Sequence, residues 1–221
     1  MSHYRGRQTI KDIIESIGVP HPEVSLILKN SEPVDFSYLV QPGDFFSVYP
    51  YLYNLKLPAA NLLLPEYPAK PKFILDVHLG KLARYLRRFN FDTAYRNDYQ
   101  DQEIVEQAVK EKRIILSRDL GLLMRKKVKW AKFIWNDDPK KQLKEVFRRY
   151  QLSEYYKGES RCVNCNSKLV DVDKEDIIER LEPKTKKYFE EFKYCRQCDK
   201  IYWQGSHYDK TEKLLDQLKN L

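Results

Sequence analysis

The sequence predicts an α/β fold with a largely parallel sheet, and observations on residues 73–138 support this prediction. Four short apolar runs lie in this stretch, and each ends in an acidic or amide residue. The intervals between the runs place apolar residues at helical spacing. Strands that alternate with helices favour a parallel sheet, whose carboxyl-terminal edge forms the ligand crevice. We therefore expect the acidic residues at the strand ends to meet in one cleft.

The first fifty residues predict a small mixed domain. Residues 7–19 predict a polar turn and then an amphipathic helix, with Gly18 as its C-terminal stop. Its apolar face consists of four isoleucines: Ile10, Ile13, Ile14 and Ile17. Strands are predicted over 24–28, 34–40 and 45–49, with turns between them. His21 lies in a proline-bounded loop, where a structural role and a contact with RNA or a partner are both open.

Residues 51–71 predict a strap rather than a domain. Four prolines in this segment, and Pro50 before it, exclude a helix or a central strand. The segment is also rich in leucine, whereas a flexible linker is polar. We therefore expect a semi-extended chain that packs across a domain surface.

Four strands are predicted in the α/β region, over residues 73–76, 93–98, 114–119 and 132–138. A helix follows the first strand, with its apolar face at Leu79, Leu82, Ala83 and Leu86. A second helix opens at Asp101, and a short third helix follows Asp119. Asp76 and Asp119 therefore each end a strongly apolar strand, at the edge where a cleft is expected.

Aspartates at these positions favour a metal site, but each has an alternative role. Carboxylates that share a cleft repel each other unless cations lie between them, and oxygen ligands suit Mg²⁺ or Mn²⁺. Asp76 and Asp119 are the preferred ligands, with Asp98 and Glu103 in reserve. Aspartate is also a favoured helix N-cap, and this alternative applies to Asp101 and to Asp138, which Pro139 follows.

The net charge of +8 lies in the middle of the chain. Residues 71–157 carry a net charge of +9, whereas 1–70 carry −1 and 158–221 are neutral. A basic body around an acidic pocket favours an enzyme that acts on nucleic acid. A lysine-rich surface that only maintains solubility is the alternative. No membrane-length apolar run and no signal-peptide pattern are found, which favours a soluble cytoplasmic protein.

The four cysteines form two CxxC pairs, Cys162 with Cys165 and Cys195 with Cys198, separated by 29 residues. Two such pairs predict a tetrahedral zinc site, and four thiolate ligands leave no position open for a substrate. The expected role is therefore structural. Disulfides are the alternative, although nothing in the sequence indicates an oxidising compartment. Short helices are predicted over 173–181 and 184–192, and a C-terminal helix over 209–221.

The motifs together resemble a known family. The run from Phe73 to Asp76, the helix Leu-Gly-Lys-Leu-Ala-Arg-Tyr-Leu-Arg, the helix start Asp-Gln-Glu-Ile and the strand Ile-Leu-Ser-Arg-Asp are similar to a PIN domain. They are closer still to the Mut-seven C-terminal ribonuclease family, a PIN-like domain joined to a zinc ribbon. The resemblance covers residues 72–208, and residues 7–49 resemble the ubiquitin-like β-grasp domain that often precedes it.

The resemblance implies which residues act. Its acids fall on Asp76, Asp101 and Asp119, and basic positions of its motifs fall on Arg84 and Arg118. The segment after the last cysteine also matches, so Trp203 is a candidate for base stacking and His207 for phosphate contact or proton transfer. Packing of Trp203 and a backbone bond of His207 are the alternatives. Lys81, Arg84 and Arg118 are candidates for binding RNA phosphates, with surface ion pairs as the alternative for the arginines.

The sequence thus predicts a cytoplasmic ribonuclease that hydrolyses phosphodiesters with Mg²⁺ or Mn²⁺. Its segments are a partial ubiquitin-like domain (1–50), the strap (51–71), the PIN-like domain (72–157) and a zinc ribbon with a C-terminal helix (158–221). RNA is the expected partner, together with a protein that contacts the ubiquitin-like module. The alternatives are a non-catalytic adaptor that binds RNA or a ribosome-like particle, and a nuclease that acts on DNA.

Overall fold

The computed structural model of the chain describes residues 8–50, 62–64, 70–156, 161–203, 214 and 218. It divides into two compact units. The first contains Met1–Leu79 and Tyr95–Trp135, and the second contains Gly80–Ala94 and Asn136–Leu221. Each unit is therefore built from two separate stretches of chain.

The first unit begins with a helix and a small antiparallel sheet. Helix α1 (Ile10–Ser16) is followed by β1 (Val24–Lys29), β2 (Glu32–Val34) and β3 (Phe46–Pro50), in the sheet order β2-β1-β3. The helix starts with a capping box, in which Thr9 and Asp12 bond to each other's backbone N–H groups. Its apolar face packs on the sheet, and the buried core is Ile10, Ile14, Val24, Ile27 and Val40.

Two predictions for this region are wrong in detail. Ile17 is 64% exposed, because α1 ends at Ser16 and Gly18 turns the chain with a φ of +88°. The predicted strand over 34–40 does not form, since β2 ends at Val34. The Asp35 carboxylate accepts a 2.7 Å bond from the Ser37 N–H, and this local bond favours a turn.

The parallel sheet is the second element of the first unit. Strands β4 (Phe73–Leu75), β6 (Ile114–Ser117) and β7 (Ala131–Phe133) are neighbours in the order β4-β6-β7, and both pairings are parallel. Helix α3 (Asp101–Glu111) precedes β6, and the short helix α4 (Leu120–Leu123) follows it. Every residue of β4 and β6 is buried, as expected for a sheet that is covered on both faces.

In the second unit, an aromatic core joins two helices. Helix α2 (Gly80–Arg88) packs against α5 (Pro139–Tyr150). The rings of Phe89 and Phe91 meet that of Phe147 edge-on, at centroid distances of 5.3 and 5.7 Å. Strand β5 (Thr93–Ala94) lies between α2 and α5 in the sequence. The predicted strand over 93–98 is therefore too long, because residues 96–98 are exposed.

A three-stranded antiparallel sheet forms the C-terminal part of the second unit. Its strands are β8 (Val170–Val172), β9 (Phe192–Cys195) and β10 (Lys200–Trp203), in the order β10-β9-β8. The predicted helices of the insert are shorter than expected: α6 (Lys174–Ile177), which a 3-10 turn follows, and α7 (Pro183–Tyr188). Ile177, Leu181 and Phe192 form the core here.

Two predicted segments lie mostly outside the described residues. In the strap, the Leu63 N–H donates a 2.9 Å bond to the Ser25 carbonyl. In the predicted C-terminal helix, Leu214 and Leu218 are helical and buried. None of the helices in the described part of the chain has the length and apolar character that a membrane span requires.

Candidate active site and metal centre

Asp76 lies at the carboxyl end of β4 and is held from two sides. Its side chain is buried, with a relative exposure of 7% for the residue. One carboxylate oxygen accepts a 2.6 Å bond from the Val77 N–H, and the other accepts a 2.8 Å bond from the Ser117 hydroxyl. A buried carboxylate with two donors keeps a fixed orientation. It lies at the sheet edge where the sequence predicts a cleft.

Ser117 connects Asp76 with Asp119. It ends β6, is fully buried, and accepts a 2.9 Å bond from the Asp119 N–H while donating to Asp76. The sequence analysis did not identify Ser117 as a site residue. The available signal was a polar residue at the end of an otherwise apolar buried strand.

Asp119 is exposed and has a structural role of its own. It is the N-cap of α4, and its Oδ1 accepts a 2.7 Å bond from the Gly121 N–H. The sequence analysis considered capping for Asp101 and Asp138 and did not consider it for Asp119, which caps α4. In the described part of the chain, no hydrogen bond to the other oxygen, Oδ2, is found.

Asp101 is not a helix cap, so that alternative is wrong. Gln100 caps α3, and its N–H donates a 2.9 Å bond to the Glu103 carboxylate. Asp101 is the first residue of the helix and forms a 2.9 Å ion pair with Arg125, just beyond α4. The reserve ligands Asp98 and Glu103 both pair with Arg96, at 2.9 and 3.5 Å.

The capping role of Asp138 is confirmed. Its Oδ1 accepts 3.0 Å bonds from the N–H groups of Lys140 and Lys141, and Pro139 occupies the first position of α5. The bond from the Lys141 N–H is the main reason that the pKa of Asp138 lies below its usual value.

The predicted substrate-binding residues are placed as follows. Lys81 and Arg84 are exposed on α2 in the second unit, and Arg118 is exposed between Ser117 and Asp119 in the first. Trp203 ends β10 and is 44% exposed, with its ring centroid 6.5 Å from that of Phe189. His207 lies outside the described residues.

The four cysteines form a compact group of ligand atoms. The Sγ atoms of Cys162, Cys165, Cys195 and Cys198 all lie within 4.8 Å of one another. A tetrahedral Zn²⁺ with Zn–S bonds of about 2.3 Å requires sulfur separations of roughly 3.8 Å. The donor set and its spacing therefore fit a structural metal such as zinc. Across the described residues, no other group of three or more His, Cys, Asp or Glu side chains meets the same distance criterion.

The thiols of this group influence each other's ionisation. Burial raises the pKa of Cys165, but hydrogen bonds with Ser167, Cys198 and Cys195 outweigh it and lower the pKa to about 6. The pKa of Cys198 is raised to about 12, chiefly by its hydrogen bond with Cys165. One thiolate thus disfavours the next, and only a cation in the centre stabilises four negative sulfurs together.

A buried arginine bonds to the first cysteine pair. Arg87 is 4% exposed, and its guanidinium donates to the carbonyls of Thr93, Val163 and Asn164 at 3.0, 2.9 and 2.7 Å. Two of these carbonyls lie between Cys162 and Cys165 in the chain. Arg87 therefore connects α2 with this turn.

Asn166 reinforces the same connection. Its side-chain oxygen accepts a 3.0 Å bond from the Thr93 N–H, and its side-chain NH₂ donates a 2.8 Å bond to the Asp92 carboxylate. The backbone of Asn166 has a φ of +70°, which asparagine adopts more readily than most residues.

Comparisons with known proteins give two family matches. The model of the Mut7-C RNAse domain matches residues 71–215, and the model of the Mut7-C ubiquitin domain matches residues 1–56. No curated protein and no solved structure matches the chain. The two models confirm the resemblance that the motifs indicate, and they confirm the order of a ubiquitin-like module followed by a PIN-like domain with its cysteine group.

Proposed function

The chain belongs to the Mut7-C RNAse domain family, and from this premise we propose that it is a hydrolase that cuts RNA phosphodiester bonds at the aspartates of the parallel sheet. One observation carries the proposal. Asp76 and Asp119 follow neighbouring parallel strands, and the Ser117 hydroxyl donates to the Asp76 carboxylate while it accepts from the Asp119 backbone N–H. Ser117 thus links two aspartates from separate parts of the chain at one sheet edge, where α/β proteins bind their ligands.

We propose Asp76, Asp101 and Asp119 as the ligands of Mg²⁺ or Mn²⁺, because hard carboxylate oxygens suit these ions. A bound ion would supply an activated water and stabilise negative charge on the phosphate oxygens. Asp76 presents a carboxylate whose orientation is fixed by Val77 and Ser117. Asp101 has to exchange its ion pair with Arg125 for the ion, which would leave the Arg125 guanidinium available to a phosphate.

Positive charge around the site suits a polyanionic substrate. Arg118 is exposed beside Asp119, and we propose that it contacts a phosphate of the RNA. Lys81, Arg84, Trp203 and His207 are proposed as further RNA contacts. The excess charge lies on residues 71–157, so the affinity for RNA should fall steeply as salt is added.

We propose Zn²⁺ as the metal of the cysteine group, since its preferred structural site is four thiolates and the four Sγ atoms lie within 4.8 Å of one another. We further propose segment boundaries at 1–50, 51–71, 72–157 and 158–221, a protein partner for the ubiquitin-like module, and a cytoplasmic location. Free cysteines that bind a metal are typical of a reducing compartment.

A non-catalytic adaptor that binds RNA or a ribosome-like particle is the second candidate. The Asp101–Arg125 ion pair favours it, because that pair occupies a carboxylate that a metal ion needs. The adaptor hypothesis and the nuclease hypothesis differ in one measurable property, which is metal-dependent cleavage.

The test is a cleavage assay with RNA and DNA strands of the same sequence. We expect the wild type to cut RNA when Mg²⁺ or Mn²⁺ is present, to lose activity in EDTA, and to recover it when Mg²⁺ rather than Zn²⁺ is returned. Activity that persists in EDTA would contradict the metal mechanism. Preferential cutting of the DNA strand would replace ribonuclease with deoxyribonuclease, and salt-sensitive binding without any cleavage would support the adaptor.

A further inference from the structure

Trp135 is a large aromatic side chain that the proposed function has not used. It is 67% exposed and lies two residues beyond Phe133, the last residue of β7. The Phe133 ring contacts the indole at a centroid distance of 4.6 Å and an interplanar angle of 60°. The indole is thus supported from one side by a second aromatic ring while much of its surface faces solvent.

Trp135 follows the same edge of the parallel sheet as Asp76 and Asp119. Ser117 is in register with Phe133, and the Ile134 N–H donates a 2.9 Å bond to the Ser117 carbonyl. Asp119 lies two residues beyond Ser117 at the end of β6, and Trp135 lies two residues beyond Phe133 at the end of β7. The same serine that bonds to Asp76 and Asp119 is therefore bonded to the segment that carries Trp135.

Two basic residues are tied to this edge of the sheet. Arg118 is exposed between Ser117 and Asp119, and Arg125 forms a 2.9 Å ion pair with Asp101. A ligand for this region needs negative charge for the basic residues and a flat apolar face for the indole. A single strand of nucleic acid has both, since its phosphates are anionic and its unpaired bases present their rings.

We propose that Trp135 stacks on an unpaired base of the RNA, next to the phosphodiester that the acidic site cuts. The identity of the substrate rests on the proposed function, whereas the stacking itself does not require cleavage. A base inside a duplex is already stacked on both faces, so an exposed indole contacts it poorly. The substrate class is therefore RNA that is single-stranded at the cleavage point, such as a loop or an open end.

The first test measures the binding of a labelled single-stranded RNA to the full chain, in buffer without added Mg²⁺ or Mn²⁺. Stacking on an aromatic side chain predicts that Trp135→Ala weakens binding by about 5- to 150-fold. Trp135→Phe should retain most of the affinity. Phe45→Ala is the matched control, because Phe45 is a 72% exposed aromatic residue in the small antiparallel domain. Equal affinity of Trp135→Ala and wild type would overturn the proposal.

The second test locates the base. A single abasic nucleotide is moved along the RNA, and binding is measured with wild type and with Trp135→Ala. At one position the loss caused by the substitution should disappear, because the stacked base is already missing. A loss of the same size at every abasic position would overturn the proposal. An equal loss with duplex RNA of the same sequence would overturn it too.

A cleavage assay with wild type and Trp135→Ala shows which of the two proposals, stacking or nuclease activity, has failed. If Trp135→Ala loses binding as described and the wild type cuts no RNA, the nuclease proposal fails and the stacking proposal stands. If the wild type cuts RNA and Trp135→Ala neither binds nor cuts differently, the stacking proposal fails alone.

Discussion

The acidic site and the cysteine site hold their ligand atoms in different ways. The four sulfurs form one compact group. Arg87 donates to a carbonyl in the turn of the first pair, and Asn166, which follows this turn, accepts a bond from the Thr93 N–H. The three aspartates come from separate elements, and each carboxylate has a bond to a different partner: Ser117, Gly121 or Arg125. The cysteine group offers four protein ligands, enough for a tetrahedral metal such as zinc. The aspartates offer fewer unoccupied oxygens, and Asp119 is exposed to solvent.

The difference agrees with the proposed roles, which are a structural metal site at the cysteines and a catalytic site at the aspartates. A closed set of four thiolates leaves no coordination position for a reactant, whereas a catalytic site keeps one open. Asp119 is exposed and Asp76 is buried, so the acidic edge runs from the interior to solvent. Substitutions should therefore affect folding at the cysteines and activity at the aspartates.

The largest effect is expected at the cysteines. Cys162→Ser or Cys195→Ser should abolish tight zinc binding and unfold the β8–β10 sheet, since a structural zinc site contributes on the order of 10 kcal/mol to folding. Elemental analysis should find close to one zinc per wild-type chain and much less in the variants, with a lower Tm. A variant with full zinc content and an unchanged Tm would remove the distinction between the two sites.

The next effect concerns activity. Asp119→Asn should lower the cleavage rate by roughly a thousand-fold, because the amide loses the charge that binds the ion. Its Tm should stay close to that of wild type, since asparagine caps a helix as well as aspartate does. Asp76→Asn should lose activity similarly and also some stability, because both of its oxygens accept bonds and an amide NH₂ cannot. RNA binding should survive in both variants.

Asp138→Asn is the matched control for these substitutions. Asp138 caps α5 in the same manner as Asp119 caps α4, but its role is confined to the helix end. Cleavage rates for the three variants, with matched melting curves, provide the comparison. If Asp138→Asn lost as much activity as Asp119→Asn, the loss would report on capping and not on metal binding.

A smaller effect on stability is expected at Arg87. Arg87→Met removes a buried guanidinium that donates to three carbonyls, two of them in the turn of the first cysteine pair. We expect a loss of about 3 kcal/mol in the free energy of unfolding and faster zinc release to a coloured chelator. Arg84→Met on the same helix is the control, because Arg84 is exposed. Unchanged zinc release would show that the cysteine group is stable without this arginine.

The smallest effect is the pH dependence of the α5 cap. Because the folded-state pKa of Asp138 is lowered, its contribution is fully present above the ordinary aspartate pKa. It is lost as the pH falls through the lowered value. Asp138→Ala should lower the Tm by roughly 2–4 °C at pH 7, and this difference should shrink below about pH 4. A difference that grew at low pH would contradict the assignment of Asp138 as a charged cap.

The sequence by itself determined most of the elements and the grouping of the four cysteines. The apolar runs of β4 and β6, the helical spacing of α2 and α3 and the two CxxC pairs are local patterns, because each depends on residues close together in the chain. Asp76 and Asp119 could be selected because both end apolar strands. The predicted strands over 93–98 and 132–138 extend beyond the observed β5 and β7. A run of suitable residues does not reveal where the pairing with a neighbouring strand ends.

Only the tertiary structure decided which residues act on each other across the chain. The Ser117–Asp76 bond spans 41 residues, and the bond from Arg87 to Val163 spans 76. Asp101, a predicted metal ligand with capping as the alternative, pairs with Arg125, and Trp135 follows the same sheet edge as Asp76 and Asp119. These contacts depend on strand register and helix packing, which bring together side chains that no local pattern relates.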